Sequence, residues 1–463
     1  MSDSPMTDQH VHLTVDERHE RGRQARKQVP RSSHADWSPA TDRPDPVDVL
    51  TAQDATRLQS LVPIRHGRMS VSPFTFYRGA AAIMAGDLAS TPVSGIDAQL
   101  CGDAHLSNFG AFASAERNLV FDVNDFDETL PGPWEWDVKR LAASFALAGR
   151  SNGFKREQTT DAVMKSVEGY RTAMAYFAQQ ATLDIWYAEL SVDKVSAAIT
   201  KKSDRKRMAK TAAKARSKTS LKAMAKLTER CDGALRIVSD PPLIVPLRDL
   251  VGENADGLRG QVEHSWELYR SSIRDDRRAL LNRYRLVDIA LKVVGVGSVG
   301  TRCMLALFMG RDDGDPLFLQ VKEAEASVLE AHLAPSAYEV PGERVVQGQR
   351  LIQASGDIFL GWSSGETGHH YYWRQFHDMK GSADVETMNP RRLGAYATVC
   401  GWTLAHSHAR SSDPIAIAGY LGKNSSFNRA LTEFAFTYAD QNDLDFASMR
   451  SAIDDGRITT EDG

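Results

Sequence analysis

The spacing of apolar residues along the chain changes period twice, from helical to strand-like and back. Val47, Leu50, Ala55, Leu58 and Leu61 recur at near-helical intervals and predict a helix over 47–61. PFTFYRGAAAIMAGDLAS (73–90) predicts a second helix that stops before Pro92, and IDAQLCGD (96–103) reads as a strand. WEWDVKRLAASFALAGR (134–150) has the signature of a buried helix, closed by Ser151, Asn152 and Gly153. Helical patterning runs on through 157–230. Residues 231–260 contain IVSDPPLIVPL, extended pieces interrupted by proline, and a helix is expected again at 262–283. The period then falls to two. DIALKVVGV, TRCMLALFMG, DPLFLQVKE, RVVQGQRLIQA and HYYWRQF predict five strands of a small antiparallel sheet, with a helix at 325–334 between them. A helix at 390–410 follows, and 411–463 is mixed with an acidic end.

This order predicts an α+β protein in four stretches. Residues 1–46, polar, with a mixed-charge run and prolines at 30, 39, 44 and 46, read as a flexible arm; 47–283 form a large helical part; 284–380 form a small β part; 381–463 return as helices to complete the large part. A length of 463 residues allows two parts of roughly 100–200 residues each. The 42% hydrophobic and 25% charged composition is that of an ordinary globular protein. A net charge of −4 makes no case for general nucleic-acid binding. Charge is uneven, however. Lys206, Lys210, Lys214, Lys218, Lys222 and Lys226 fall at every fourth residue of what reads as one helix. A solvated basic face is the plain reading, and docking to an anionic partner the functional one. Cys101, Cys231, Cys303 and Cys400 form no CxxC pair, so neither a zinc knuckle nor a disulfide framework is indicated, and a reducing cytoplasm is expected. No apolar run is long enough to cross a membrane, and the first residues show no signal-type apolar segment.

Four short motifs carry the chemistry. VVGVGSVGT (293–301) holds a G-x-G-x-x-G pattern in Gly295, Gly297 and Gly300, whose small size lets backbone N–H groups approach phosphate. It is followed by strand formers rather than a helix, so a glycine-rich hairpin is expected instead of a dinucleotide fold. Lys322 ends an alternating strand in which Phe318, Gln320 and Lys322 share one face, the place where a kinase-like site holds the α- and β-phosphates of ATP. An acidic partner is expected on the next helix, Glu330 first and Glu325 second. CGDAHLSNFG (101–110) supplies Asp103 and, five residues on, Asn108, a spacing that brings the Asp to an acceptor hydroxyl and the Asn to a metal. Asp125 in FDVNDFDE (121–128) is the second expected ligand of Mg²⁺. Asp122, Asn124, Asp127 and Glu128 crowd the same turn, some of them as acceptors for backbone N–H groups.

CGDAHLSN resembles the catalytic loop of the aminoglycoside phosphotransferase and choline kinase group, whose pattern runs His-Gly-Asp-x-His-x-x-Asn; Gly102, Asp103, His105 and Asn108 match, and Cys101 replaces the leading His. NDFDETLPGPWEWDVKRLA resembles that group's metal-Asp segment and the helix after it. The resemblance implies that Asp125 is the metal Asp and that Asp137 braces the catalytic loop. The motifs stand in rotated order, which implies a circularly permuted, protein kinase-like two-lobed fold, with YYWRQFHDMKG as last sheet strand and hinge. GWTLAHSHARS would return beneath the catalytic loop, with His406 and His408 structural. Over most of its length the chain also resembles the bacterial family DUF2252, through PRSSHADW, SPFTFYRGAA, the two acidic motifs, VVGVGSVGT, QVKEA and HDMKGS. Arg65, Arg68 and Arg78 could reach phosphate, with surface ion pairs as the plainer account.

The expected function is therefore an ATP- and Mg²⁺-dependent phosphotransferase acting on an unidentified small-molecule or protein hydroxyl. Nucleotidyl (AMP) transfer on the same fold and a non-catalytic, nucleotide-binding pseudokinase are the alternatives. A metal-dependent hydrolase using Asp103, His105, Asp122, Asp125 and Asp127 ranks last, because it leaves the glycine loop without a role. Neither acceptor nor oligomeric state is set by the sequence.

Overall fold

The computed structural model describes residues 13–198, 201–231, 233–249, 255–365, 368–376 and 379–461, with backbone alone at 198, 255–261 and 263. The protein is mixed α+β. At its centre lies the helix Trp134–Ser151, buried on every side from Trp134 to Gly149. Apolar residues all round such a helix require covering helices on all faces. These are Arg156–Phe177, Pro390–Ser411 and the long Ser426–Asp454. The helices Arg156–Phe177 and Pro390–Ser411 cross very closely. A Cβ on Gly401 would lie 2.0 Å from the Ser166 carbonyl oxygen, so only glycine allows this approach.

The largest sheet has six strands in the order Gly361–Ser364, His370–Gln375, Pro316–Ala324, Cys303–Met309, Arg285–Lys292, Ile244–Pro246, all neighbours antiparallel. Strand Pro316–Ala324 is buried along its whole length because both its faces are covered. Leu317, Leu319 and Val321 pack with Tyr269, Ile273 and Trp373. On the opposite face Phe318 packs with Ala223 and Leu227. A smaller sheet of Phe109–Ala113, Leu119–Val123 and Gly381–Ser382 joins the acidic motifs to the segment leaving the large sheet. No helix among the described residues is long and apolar enough to cross a membrane.

Several expectations are corrected. RVVQGQRLIQA is not a strand but most of the helix Pro341–Ile352. Pro341 sets the φ of the first turn, and Val345, Gln349 and Ile352 then share a buried face at helical spacing. The sheet neighbour of Pro316–Ala324 is His370–Gln375. The helix expected at 325–334 is a single 3₁₀ turn, Val328–Ala331, with Ser327 and Glu330 forming a capping box. The lysine ladder is not on one helix. Lys206, Lys210 and Lys214 lie on Lys202–Arg216, Lys222 and Lys226 on Ser220–Leu227, and Lys218 in the turn where Thr219 caps the second helix. A threonine that bonds the backbone here stops the first helix and starts another.

The arm is the other departure. Residues 1–12 lie outside the described residues, but 13–46 are packed. Helix Val15–Gln28 carries a Thr14–Glu17 capping box and lies against Pro414–Leu421, with Arg18 paired to Asp413 at 2.7 Å. His34 bonds the Tyr420 hydroxyl at 2.6 Å. Arg43 bridges the buried carboxylates of Asp87 and Asp445. Arg18 and Arg43 thus tie the segment to distant helices, while most of its other charged side chains stay exposed.

Candidate functional site

Strand Asp97–Leu100 delivers the chain into the turn that carries Asp103. Gly102 has φ +82°, and a Cβ there would lie 2.2 Å from the Glu128 carbonyl oxygen, so the turn needs glycine. Asp137, in the first turn of the central helix, accepts the backbone N–H groups of Cys101 at 2.8 Å and Gly102 at 3.1 Å. His408 Nε2 lies 3.3 Å from Asp137, and its Nδ1 lies 2.8 Å from the Tyr170 hydroxyl. Asp137 thus positions the turn, and His408 orients Asp137. His406 bonds the Ile185 carbonyl at 3.0 Å. Burial raises the Cys101 thiol well above its ordinary value, and the neighbouring Asp137 carboxylate adds to the rise.

Asp103 is bound by the Nε of Arg140, and His105 Nε2 stands 3.7 Å away. Burial pushes the Asp103 carboxyl up, against the pull of Arg140 and Arg78. Burial first, then Arg78 and Arg140, hold His105 well below its ordinary value, so it is neutral. Arg78 contributes to both fields, and its own Nε is buried with no hydrogen-bond partner among the described residues.

Asn108 Nδ2 donates to the Asp103 carbonyl at 2.9 Å, while the Asn108 carbonyl accepts from Asn124 N–H at 2.8 Å. The strand pair between them, with Phe109 opposite Val123, therefore sets Asp125 beside the Asp103 turn. Asp125 and Asp127 face Lys322, which is 2% exposed. Lys322 Nζ bonds Asp127 and lies 3.8 Å from Asp125. Tyr372, opposite Lys322 in the sheet, donates its hydroxyl to Asp127 at 2.6 Å. Arg374 donates to the Asn124 carbonyl at 3.0 Å and to Gln320 Oε1 at 3.0 Å. Burial would raise Asp127, yet Lys322 and its hydrogen bonds hold it below its ordinary value; burial and the charge of Asp127 push Asp125 up.

The glycine-rich loop closes over this group. Gly295 and Gly300 have φ +72° and +92°, and a Cβ on Gly297 would meet the Arg78 carbonyl at 3.1 Å. Arg68 donates to the Gly295 carbonyl at 2.8 Å and Arg57 to the Val299 carbonyl at 2.6 Å, so both arginines hold the loop itself. Arg65 is buried with Asp54, elsewhere. Ser298 Oγ reaches Asp127 at 3.4 Å. Gly295, Ser298, Lys322 and Asp125 line one cleft of about 600 Å³.

Glu330 stands apart from this group. Its carboxylate caps Ser327 N at 2.9 Å and Ser336 N at 3.0 Å and lies 3.8 Å from Arg344. The counter-ions of Lys322 are Asp127 and Asp125 instead. Glu325 shows no bond to Lys322 either; its carbonyl accepts from Arg344 at 2.8 Å. Sequence reasoning passed over Asp127, Tyr372 and Arg374 as specific partners. Tyr372 and Arg374 had a signal, since they alternate on the face of their strand that meets Lys322.

Fold and cleft together define an α+β protein in which a buried lysine and an acidic turn meet beneath a glycine-rich loop. The match to a family model over residues 57–452 places it more closely: the chain belongs to the family described as uncharacterized protein conserved in bacteria (DUF2252). No curated protein and no solved structure matches it.

Proposed function

We propose that the chain is an ATP- and Mg²⁺-dependent phosphotransferase of circularly permuted, protein kinase-like type, acting on a hydroxyl acceptor. The observation that carries this reading is the meeting of Ser298 and Lys322 with Asp127 across 171 and 195 residues of chain. A glycine loop, a strand lysine and an acidic turn converging on one cleft are the parts that phosphoryl transfer needs.

The donor set suits a hard cation that brings its own phosphate. Asn108 Oδ1 and Asp125 Oδ2 accept no hydrogen bond among the described residues. Among the described residues no three carboxylate, imidazole or thiolate groups are arranged to hold a metal ion, so Mg²⁺ would rest on these two oxygens, with phosphate and water completing its shell. The same finding weighs against a hydrolase built on Asp103, His105, Asp122, Asp125 and Asp127. Bound MgATP would supply the phosphoryl group and neutralise charge on it. Asp103, one oxygen fixed by Arg140, would orient the acceptor hydroxyl and take its proton. Lys322 would exchange Asp127 for phosphate oxygens, and Asp137 would hold the Asp103 turn in register.

The test is transfer of label from γ-labelled ATP, with wild type and Asp125→Ala. Label transfer or turnover should fall by about a hundredfold or more in the variant; equal turnover by both overturns the metal assignment. One observation favours a second reading. Among the described residues no carboxylate of helix Pro341–Ile352 is bonded to Lys322, whereas kinases require such a pair. The sense in which ATP lies is then open to nucleotidyl (AMP) transfer, which α-labelled ATP would reveal by labelling the acceptor. Binding of ATP without transfer of either label would instead mark a pseudokinase.

A further inference from the structure

The cleft has a second charged wall that the nucleotide reading does not use. Lys218 lies in the turn between helices Lys202–Arg216 and Ser220–Leu227, and Lys380 follows the last strand of the large sheet. Met379 N–H donates to the Lys218 carbonyl at 2.9 Å, which pins these two turns together. Met379 has φ +51°, a conformation that costs a non-glycine residue about 1–3 kcal/mol and must be held by its surroundings. Both lysines line the cleft, and neither ammonium has a hydrogen-bond or ion-pair partner among the described residues.

Charge in the cleft is unbalanced. Lys322 is matched by Asp125 and Asp127, and Arg374 is held by the Asn124 carbonyl and Gln320. Around Lys380 stand Arg374, Lys322 and Lys218 against the carboxylate of Asp125, and among the described residues the cleft is lined by Lys218, Lys292, Lys322, Arg374 and Lys380 with Asp125 and Asp357 as its carboxylates. The two free ammonium groups are an uncompensated excess of cations in a partly desolvated wall. Such a wall attracts an oxyanion and repels a cationic acceptor such as choline. A volume of about 600 Å³ is that of a small-molecule site rather than a macromolecular docking face.

We propose that Lys218 and Lys380 form an oxyanion subsite for the phosphate or carboxylate group of a small acceptor. That the oxyanion belongs to the phosphoryl acceptor rests on the phosphotransferase reading; the subsite itself does not. Burial and the neighbouring Arg374 pull Lys380 down to about 8, so the free subsite loses charge as pH rises through that value. Lys218 is also lowered, by burial and Lys214, whereas Lys322 and Arg374 are raised and stay charged.

The experiment is calorimetric titration of the full chain with inorganic sulfate, whose charge is constant over this range, and separately with MgADP. Sulfate affinity should fall about tenfold or more in Lys218→Gln/Lys380→Gln, with MgADP affinity within about threefold of wild type. Unchanged sulfate binding, or an equal loss of MgADP and sulfate binding, overturns the proposal. Wild-type sulfate affinity should also decline above pH 8, and a flat profile from below to above that pH overturns it without any variant. If wild type fails to bind MgADP while sulfate still depends on both lysines, the nucleotide reading falls and the subsite stands.

Discussion

Lys322 spends its charge inside the protein. It is buried, bonded to Asp127 and close to Asp125, with the Tyr372 hydroxyl sharing Asp127. Replacing it by alanine removes the cation that Asp127 bonds and Asp125 faces, and leaves Arg374 to offset both carboxylates. Breaking a buried pair from one side costs about 3–5 kcal/mol. Lys322→Ala should therefore lower unfolding free energy by that order in denaturant titration, and Lys322→Ala/Asp127→Asn should recover part of it. A single variant as stable as wild type would show that water, not Lys322, balances the acidic turn. Lys322 and Asp125 stand in short spaced motifs that the sequence displays, whereas Tyr372 stands in none. The pairing of Lys322 with Asp127 was not legible, since it is decided by register in one sheet and by a hairpin 195 residues earlier.

At the scale of elements, packing decides what local pattern leaves open. The central helix was legible because the apolar run Leu141–Gly149 and the closing Ser151, Asn152 and Gly153 have few other solutions, although Glu135, Asp137, Lys139 and Arg140 are buried with it. RVVQGQRLIQA was not, because its paired valines and spaced glutamines suit a half-buried strand as well as a helix. Pro341 upstream and burial against Thr129, at Gly348, settle it as a helix. The lysine ladder misled for a similar reason. Every fourth residue stays lysine through the turn at 217–219, so the spacing alone does not register the break. The crossing at Gly401 gives an element-scale test. Gly401→Ala puts a methyl group 2.0 Å from the Ser166 carbonyl oxygen and must move one helix. A loss of about 2–3 kcal/mol in unfolding free energy is expected. Chemical shifts should change at Asp137 as well, because His408 lies on the displaced helix and bonds it. Wild-type stability in this variant would mean that the two helices are not held at that distance.

Across the whole molecule, distant stretches of chain complete one another. The acidic motifs from the first third meet the glycine-rich loop and lysine from the middle, and the helix Pro390–Ser411 bonds back to the Asp103 turn through Tyr396, whose hydroxyl donates to the Leu106 carbonyl at 2.8 Å. The N-terminal segment is tied into the same body by Arg43, whose partners Asp87 and Asp445 are nearly fully buried. Arg43→Ala leaves both carboxylates without their cation, with Tyr438 still donating to Asp87 and Gln441 to Asp445. Stability should fall by about 3–5 kcal/mol, and amide exchange over 15–35 should accelerate. Unaltered exchange there would mean that the segment is held by its apolar contacts alone.

The reach of Arg43 also has a consequence for biosynthesis. Its bond to Asp445 spans 402 residues, and those of Arg18 and His34 to Asp413 and Tyr420 span 395 and 386. A ribosome adding about 5–20 residues per second leaves Arg43 waiting roughly 20–80 s for its partner. During that interval the face of Val15–Gln28 that carries Arg18, Gly22 and Ala25 is uncovered on a nascent chain, open to chaperones and proteases. A segment made hundreds of residues before its partners is among the last to find its place.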